Sequence, residues 1–199
     1  MKRPIEIAIT GKIGTGKTTI CNLLKNLGYQ IFESDNEVKK LFYRKKVKTQ
    51  ISSLFSNKVK TLFKENGSVN KKTLGDFLFS NTKELKRLEQ ILYPLLEIQK
   101  KKFKKKYSSE KIIFFDIPLL FEKNMHKEFD LIILLKVNKD IQKERVLKRK
   151  GMSQRKLEKI LLSQEYDLNF FKKYISLEID TSKGKDLVSK KLKDFTKKL

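Results

Sequence analysis

The chain has 199 residues, of which 47 are Lys or Arg and 23 are Asp or Glu, giving a formal net charge of +24 at pH 7. One cysteine, Cys21, and one histidine, His126, exclude an intramolecular disulfide and a Cys/His zinc site. No apolar run is long enough to span a bilayer, and no signal peptide precedes the first predicted strand, so we expect a cytoplasmic globular protein without a membrane partner.

The strongest motif lies between a predicted strand and a predicted helix. Residues 5–10 alternate and are rich in β-branched side chains, which predicts a strand. Apolar side chains recur at helical spacing over residues 17–27, and Gly28 follows as a stop signal. The residues between match G-x-x-x-x-G-K-[ST], the phosphate-binding P-loop, in the context that distinguishes it from an unrelated glycine-rich turn.

The chemistry of this motif predicts an ATP site that uses Mg²⁺. Glycines let backbone N–H groups approach phosphate oxygens, and the helix N-terminus that follows favours an anion. Lys17 reaches the β- and γ-phosphates as a catalytic cation, and the Thr18 hydroxyl is a metal ligand. The predicted ATP-binding residues are Gly11, Lys12, Ile13, Gly14, Thr15, Gly16, Lys17, Thr18 and Thr19.

A second strand is predicted over residues 29–32, and the carboxylate of Asp35 follows it. Ser34 or Asp35 is a candidate N-cap for the helix that begins there. Ligands of open α/β sheets bind along the carboxyl edge, so Asp35 is also a candidate base that orients an acceptor hydroxyl. From the local pattern alone both interpretations stay open.

Residues 45–105 are predicted to be mainly helical, with a turn at residues 66–68 and an interruption or kink at Pro94. This stretch is too long for a simple crossover between two strands. We therefore expect an inserted helical subdomain that binds substrate, over about residues 41–107.

A continuous apolar run at residues 112–116 predicts a central parallel strand that is buried on both faces. It ends in Asp116, as a Walker B strand does, and such an acid binds Mg²⁺ directly or through water. The alternative is an aspartate that only opens the turn before Pro118.

The remaining predicted elements complete an α/β fold. Residues 131–137 predict another buried strand, and residues 177–180 predict an edge strand. A last helix from residue 185 onward is expected to face inward with Leu187, Val188 and Leu192. Alternating strands and helices indicate a parallel sheet with helices on both faces, the three-layer architecture of P-loop NTPases.

A basic helix is predicted over residues 140–149, and Ser153 is a candidate N-cap for the next helix. Arg145, Lys148 and Arg149 share a face of the first helix. Such a face suits a mobile lid, in which Arg145 and Arg149 are candidate catalytic cations over a transferring phosphoryl group. A solvated basic helix is the alternative.

The charge itself has two interpretations. Lysines are spread along the whole chain, and residues 100–106 form the densest patch, at the expected end of a helix. We favour the interpretation that the lysines reflect a general compositional bias and that their charge attracts phosphorylated ligands. A basic P-loop protein that binds nucleic acid is the alternative, although the chain has no Trp for base stacking.

Five segments together resemble the dephospho-CoA kinase family. Residues 9–19 resemble its LTGGIGSGKST signature, with Lys12 where a glycine is usual, and residues 116–122 are very close to its D-x-P-L-L-F-E stretch. The other three, in order along the chain, are Glu33-Ser34-Asp35 for D-A-D, Leu92-Tyr93-Pro94-Leu95 for L-H-P-L, and residues 145–164 for the lid and its following helix.

This resemblance implies transfer of the ATP γ-phosphate to the ribose 3′-hydroxyl of dephospho-CoA, the last step of coenzyme A synthesis. It implies Asp35 as the catalytic base, and acceptor contacts at Asp35, Tyr93, Pro94 and Leu119. One kinase domain is expected, as a monomer or weak homo-oligomer. Its core would cover about residues 1–40, 108–140 and 165–199, with the insertion at 41–107 and a lid at 141–164. A P-loop kinase for another nucleoside or nucleotide is the alternative.

Overall fold

The computed structural model describes residues 3–199, and its framework is a five-stranded sheet. The strands are β1 (Ile5–Thr10), β2 (Gln30–Glu33), β3 (Ile112–Asp116), β4 (Leu131–Lys136) and β5 (Leu177–Asp180). They lie in the order β2-β3-β1-β4-β5, and β1 pairs in parallel with both β3 and β4, as β4 does with β5. The loop after β1 therefore opens at the middle of the carboxyl edge, where such sheets bind ligands.

Helices occupy most of the remaining chain, and they lie on both sides of the sheet. Their bounds are α1 (Lys17–Asn26), α2 (Ser34–Leu41), α3 (Lys45–Phe55), α4 (Lys71–Phe79), α5 (Thr82–Lys106), α6 (Lys139–Leu147), α7 (Gln154–Ser163), α8 (Leu168–Phe171) and α9 (Lys185–Lys197). The α/β class and the parallel sheet predicted from the sequence are confirmed.

Contacts divide the chain into two compact units. The first unit, residues 3–32 and 107–199, contains the sheet core. Alternate strand residues such as Ile9 and Phe114 pack with α1 and α9, and the intervening residues, such as Ala8 and Phe115, are also fully buried. Burial on both faces explains why the strands appear in the sequence as continuous apolar runs.

The second unit, Glu33–Lys106, has a helical core of its own. The long helix α5 packs against α2, α3 and α4. The buried side chains of this core include Leu41, Val47, Ile51, Phe55, Leu74, Leu78, Leu88 and Leu92. A separate apolar core makes this segment a folded subdomain rather than a long loop.

Two local predictions were wrong, an interruption at Pro94 and an inward-facing Leu187, whereas the mainly helical stretch predicted over residues 45–105 is confirmed. Helix α5 runs without a break through Pro94, because packing of Leu88 and Leu92 maintains a helix that loses one backbone hydrogen bond at proline. Residues 56–70 are not helical and contain an antiparallel bridge between Phe63 and Val69. Leu187 does not face inward, since it lies on the outer side of α9 with 61% of its surface exposed.

The sheet core supplies a stability test. Phe114 is fully buried, with its ring 5.2 Å from that of Tyr29, so Phe114→Ala should lower the free energy of unfolding by about 3–5 kcal/mol. The exposed Leu187 is the matched control, and Leu187→Ala should change the free energy of unfolding by less than about 0.5 kcal/mol. Urea unfolding measures both, and equal losses in the two variants would contradict the assigned core.

Candidate active site

The P-loop joins β1 to α1 in a conformation that requires glycine at its centre. Gly14 has φ +82°, and a Cβ there would lie 2.8 Å from Val146 Cγ2 and 3.0 Å from Gln142 Cγ. A side chain at this position would therefore meet both a steric clash and an unfavourable backbone conformation. The loop backbone and helix α6 consequently lie in direct contact.

The start of α1 favours an anion. Helix α1 begins at Lys17, directly after Gly16 in a left-handed conformation, and its first turn has no acidic residue. The N–H groups at a helix N-terminus and the helix dipole attract negative charge. The Lys17 ammonium donates to Gly11 O, so it already lies against the loop that would hold the phosphates.

Asp116 ends β3, beside the strand that leads into the P-loop. It is paired in register with Ile9 of β1, and the next residue, Ile117, donates its N–H to Ile9 O at 3.0 Å. A carboxylate here and the Thr18 hydroxyl are hard oxygen donors, which Mg²⁺ prefers. These two donors would suit an ion whose other ligands are phosphate and water oxygens. Residues 3–199 contain no group of three His, Cys, Asp or Glu able to hold a metal.

Glu122, which was not among the predicted site residues, lies near the lysines of the P-loop. Burial raises the pKa of the Glu122 carboxyl, and attraction to Lys17 and Lys12 partly offsets that rise. A half-buried carboxylate thus lies within electrostatic reach of the two loop lysines. The D-x-P-L-L-F-E stretch contained the residue, but only the structure relates it to Lys12 and Lys17.

Lys12, the unusual residue of the loop, has a defined position. Its ammonium lies 5.5 Å from the centre of the Tyr166 ring, a cation–π contact. The Tyr166 ring lies 4.9 Å from that of Phe121. Burial raises the pKa of Tyr166 to about 12, and the nearby carboxylates Glu122 and Glu178 add to that rise. Lys12, Thr15 and Tyr166 also line a cavity of about 530 Å³ beside the end of β4.

The two arginines of the predicted lid differ. Arg145 donates from Nη1 to Thr181 Oγ1 at 3.0 Å and from Nη2 to Thr181 O at 3.1 Å, and Thr181 Oγ1 donates to Thr15 O at 2.9 Å. Arg145 is therefore held next to the P-loop. Helix α6 ends at Leu147, earlier than predicted, so Arg149 lies exposed in the turn beyond it.

The solvated alternative for this basic helix fits Lys148 and Arg149, which are both exposed, but not Arg145, which contacts Thr181. The exposed Lys148 pairs with the exposed Glu144 at 2.5 Å on the surface of α6. Ser153 caps α7 as predicted, since its Oγ accepts from Lys156 N at 3.3 Å. The turn between α6 and α7 includes Gly151 at φ +78°.

The predicted acceptor residues lie mostly in the helical unit. Asp35 is in the first turn of α2, and the N-cap is Glu33, so the prediction of Ser34 or Asp35 as N-cap was wrong. The helix begins one residue earlier than the pattern indicated. Tyr93 is 40% exposed on α5, and its hydroxyl donates to Glu89 Oε1 at 2.7 Å. Leu119 is half-buried in the turn after β3, and Pro94 lies within α5.

Comparison with known proteins gives a consistent result. A family model described as dephospho-CoA kinase matches residues 5–169. A dephospho-CoA kinase of Agrobacterium fabrum is 32% identical over 98% of both chains, and one of Bartonella quintana is 34% identical over 91% of this chain and 90% of its own. A solved structure from Thermus thermophilus superposes with a TM-score of 0.83 and 25% identity over 100% of this chain and 99% of its own.

Within residues 3–199, no helix is long and apolar enough to cross a bilayer.

Glu122 generates a pH-dependent prediction. Its pKa is raised in the folded chain, so its contribution to stability is full below the ordinary glutamate value near 4.3 and is lost as the pH rises through the folded pKa. Glu122→Gln stays neutral. Its free energy of unfolding relative to wild type should therefore increase as the pH rises above the ordinary glutamate pKa, in urea titrations without nucleotide.

Glu144→Gln is the control of opposite sign. A hydrogen bond from Lys148 lowers the pKa of Glu144, so its contribution to stability is present above the ordinary glutamate pKa and is lost as the pH falls. Its effect should be small because the pair is exposed. A pH-independent difference between wild type and Glu122→Gln would show that Glu122 is not desolvated by the fold.

Proposed function

Because this chain belongs to the dephospho-CoA kinase family, we propose that it transfers the γ-phosphate of ATP to the ribose 3′-hydroxyl of dephospho-CoA, the last step of coenzyme A synthesis. The observation that carries the proposal is the extent of similarity, which reaches 98% of both chains for one relative and so includes the P-loop and the helical unit. We assign ATP to the first unit and the acceptor to the second.

For ATP, the proposed binding site is the loop from Gly11 to Thr19. Its backbone N–H groups and the start of α1 would cradle the phosphates, and Lys17 would move from Gly11 O to the β- and γ-phosphates. Mg²⁺, held by Thr18 and Asp116 directly or through water, neutralises charge on the phosphates when it is bound.

For the acceptor, Asp35 is the proposed base. A carboxylate in the first turn of α2 would accept the proton of the ribose hydroxyl and orient its oxygen for in-line attack on the γ-phosphorus. The bond from that oxygen to phosphorus forms as the bond to the β–γ bridging oxygen of ATP breaks, which leaves ADP. Tyr93, Pro94 and Leu119 are proposed acceptor contacts.

The lid cations have separate proposed roles. Arg145, held by Thr181, would contribute positive charge from a fixed position beside the loop. Arg149, exposed in the turn after α6, would approach the transferring phosphoryl group only when residues 141–164 close. We propose that the enzyme works in the cytoplasm as a monomer or weak homo-oligomer.

The direct test is an acceptor panel. The purified chain with ATP and Mg²⁺ should convert dephospho-CoA to coenzyme A, as followed by chromatography and mass spectrometry. Nucleoside monophosphates and nucleosides should be poor acceptors at equal concentration. Turnover of a nucleoside monophosphate without turnover of dephospho-CoA would contradict the proposal and favour another P-loop kinase activity.

The role of Asp35 is tested by Asp35→Asn, which keeps the size of the side chain and removes the base. We expect kcat to fall ~10²–10⁴-fold while ADP binding is retained. Glu37→Gln is the control, because Glu37 is also acidic and in the first turn of α2 but pairs with Lys40 at 2.6 Å. Similar turnover in Asp35→Asn and wild type would remove Asp35 from the mechanism.

A further inference from the structure

Two glutamines from outside the P-loop bind the same loop residue. Gln142 of α6 donates from Nε2 to Ile13 O at 2.6 Å, and Ile13 N–H donates to Gln164 Oε1 at 2.7 Å. Gln142 is 9% exposed and Gln164, the C-cap of α7, is 8% exposed. Both hydrogen-bonding groups of one loop residue are therefore satisfied by buried side chains distant in sequence.

The chemistry of these bonds fixes the orientation of each carboxamide. A backbone carbonyl only accepts and a backbone N–H only donates, so Gln142 must present its NH₂ group and Gln164 its oxygen. A buried bond of this kind is costly to break, because the group that loses its partner stays desolvated. The two contacts are therefore directional, and each can be removed or kept by choice of substitution.

The residues that follow are fixed from the same side. Gly14 packs under the side chains of Gln142 and Val146, and Thr15 O accepts from Thr181 Oγ1 at 2.9 Å. Three consecutive loop residues thus each contact a side chain from another element. The anion site depends on the directions of successive N–H groups, and these directions are set by the peptide planes that the contacts hold.

We propose that Gln142 and Gln164 are positioning residues for the ATP phosphate site. They hold the P-loop in its phosphate-binding conformation before ATP arrives, so that binding does not have to order the loop. They also attach the base of α6 and the end of α7, the two ends of the proposed lid, to Ile13. This inference rests on the proposed use of the loop for ATP, but not on the identity of the acceptor.

Paired substitutions test the proposal. Gln142→Glu places a carboxylate, which cannot donate, against Ile13 O, and Gln164→Met removes the acceptor for Ile13 N–H. We expect each variant to raise the Kd for ADP and the KM for ATP by about tenfold. Gln164→Glu restores an acceptor and should recover most of the ADP affinity that Gln164→Met loses, despite its added negative charge.

Two controls separate positioning from a general loss of structure. Gln50→Glu changes an exposed glutamine of α3, outside the lid, and it should leave the Kd for ADP unchanged. The KM for dephospho-CoA should stay within about twofold in every variant, because the loop residues hold ATP. ADP binding, measured by calorimetry, requires no acceptor, so failure of the proposed acceptor would not affect this result.

The proposal would be overturned for either glutamine whose variant, Gln142→Glu or Gln164→Met, bound ADP with the affinity of wild type. It would also be overturned if Gln164→Glu and Gln164→Met were equally impaired, because the acceptor atom would then have no role. The pair at position 164 keeps the test decisive if Gln142→Glu does not fold.

Discussion

The structure depends on fixing a loop that has few hydrogen bonds of its own. Within residues 11–16, Thr15 N and Thr15 Oγ1 both donate hydrogen bonds to Lys12 O, at 3.3 Å and 2.8 Å. A loop that must direct its N–H groups toward a ligand cannot use them to stabilise itself. The packing of α6 on Gly14 and the side chains that reach the loop from α6 and α7 supply that stabilisation.

Electrostatics at this loop are balanced locally rather than by the whole chain. The net charge of +24 favours phosphorylated ligands at long range, but most of it is spread over helix surfaces. At the loop, Lys17 lies against Gly11 O, Lys12 over the Tyr166 ring, and Glu122 within electrostatic reach of both lysines. Each loop cation therefore has nearby electron-rich groups, which phosphate oxygens would replace.

Much of the framework could be predicted from the sequence, because its signals are local. Continuous apolar runs predicted β3 and β4, and the strand–loop–helix context predicted the P-loop. The failures were also local: capping at Ser34 or Asp35, the break at Pro94 and the inward face of Leu187 all depended on packing partners that a window of sequence does not contain.

The side chains that hold the loop could not be predicted in this way. Gln142, Gln164 and Thr181 contact residues 129, 151 and 166 positions away, respectively, and no residue spacing encodes such pairs. The spacing gave a partial indication that Gln142 is buried, because it lies one helical turn before the buried Val146 on the same face of α6. Asp35, in contrast, was singled out by its position after a strand and by the family resemblance, and its catalytic role stays a prediction.

The central claim is that the phosphate site is formed before nucleotide binds. Crystal structures of the wild-type chain with and without ADP test it most directly. The account predicts that backbone atoms of residues 11–18 shift by less than about 1 Å and that both glutamine bonds to Ile13 persist in the two structures. A loop that rearranges by more than about 2 Å on binding ADP, with either bond broken in the free form, would contradict it.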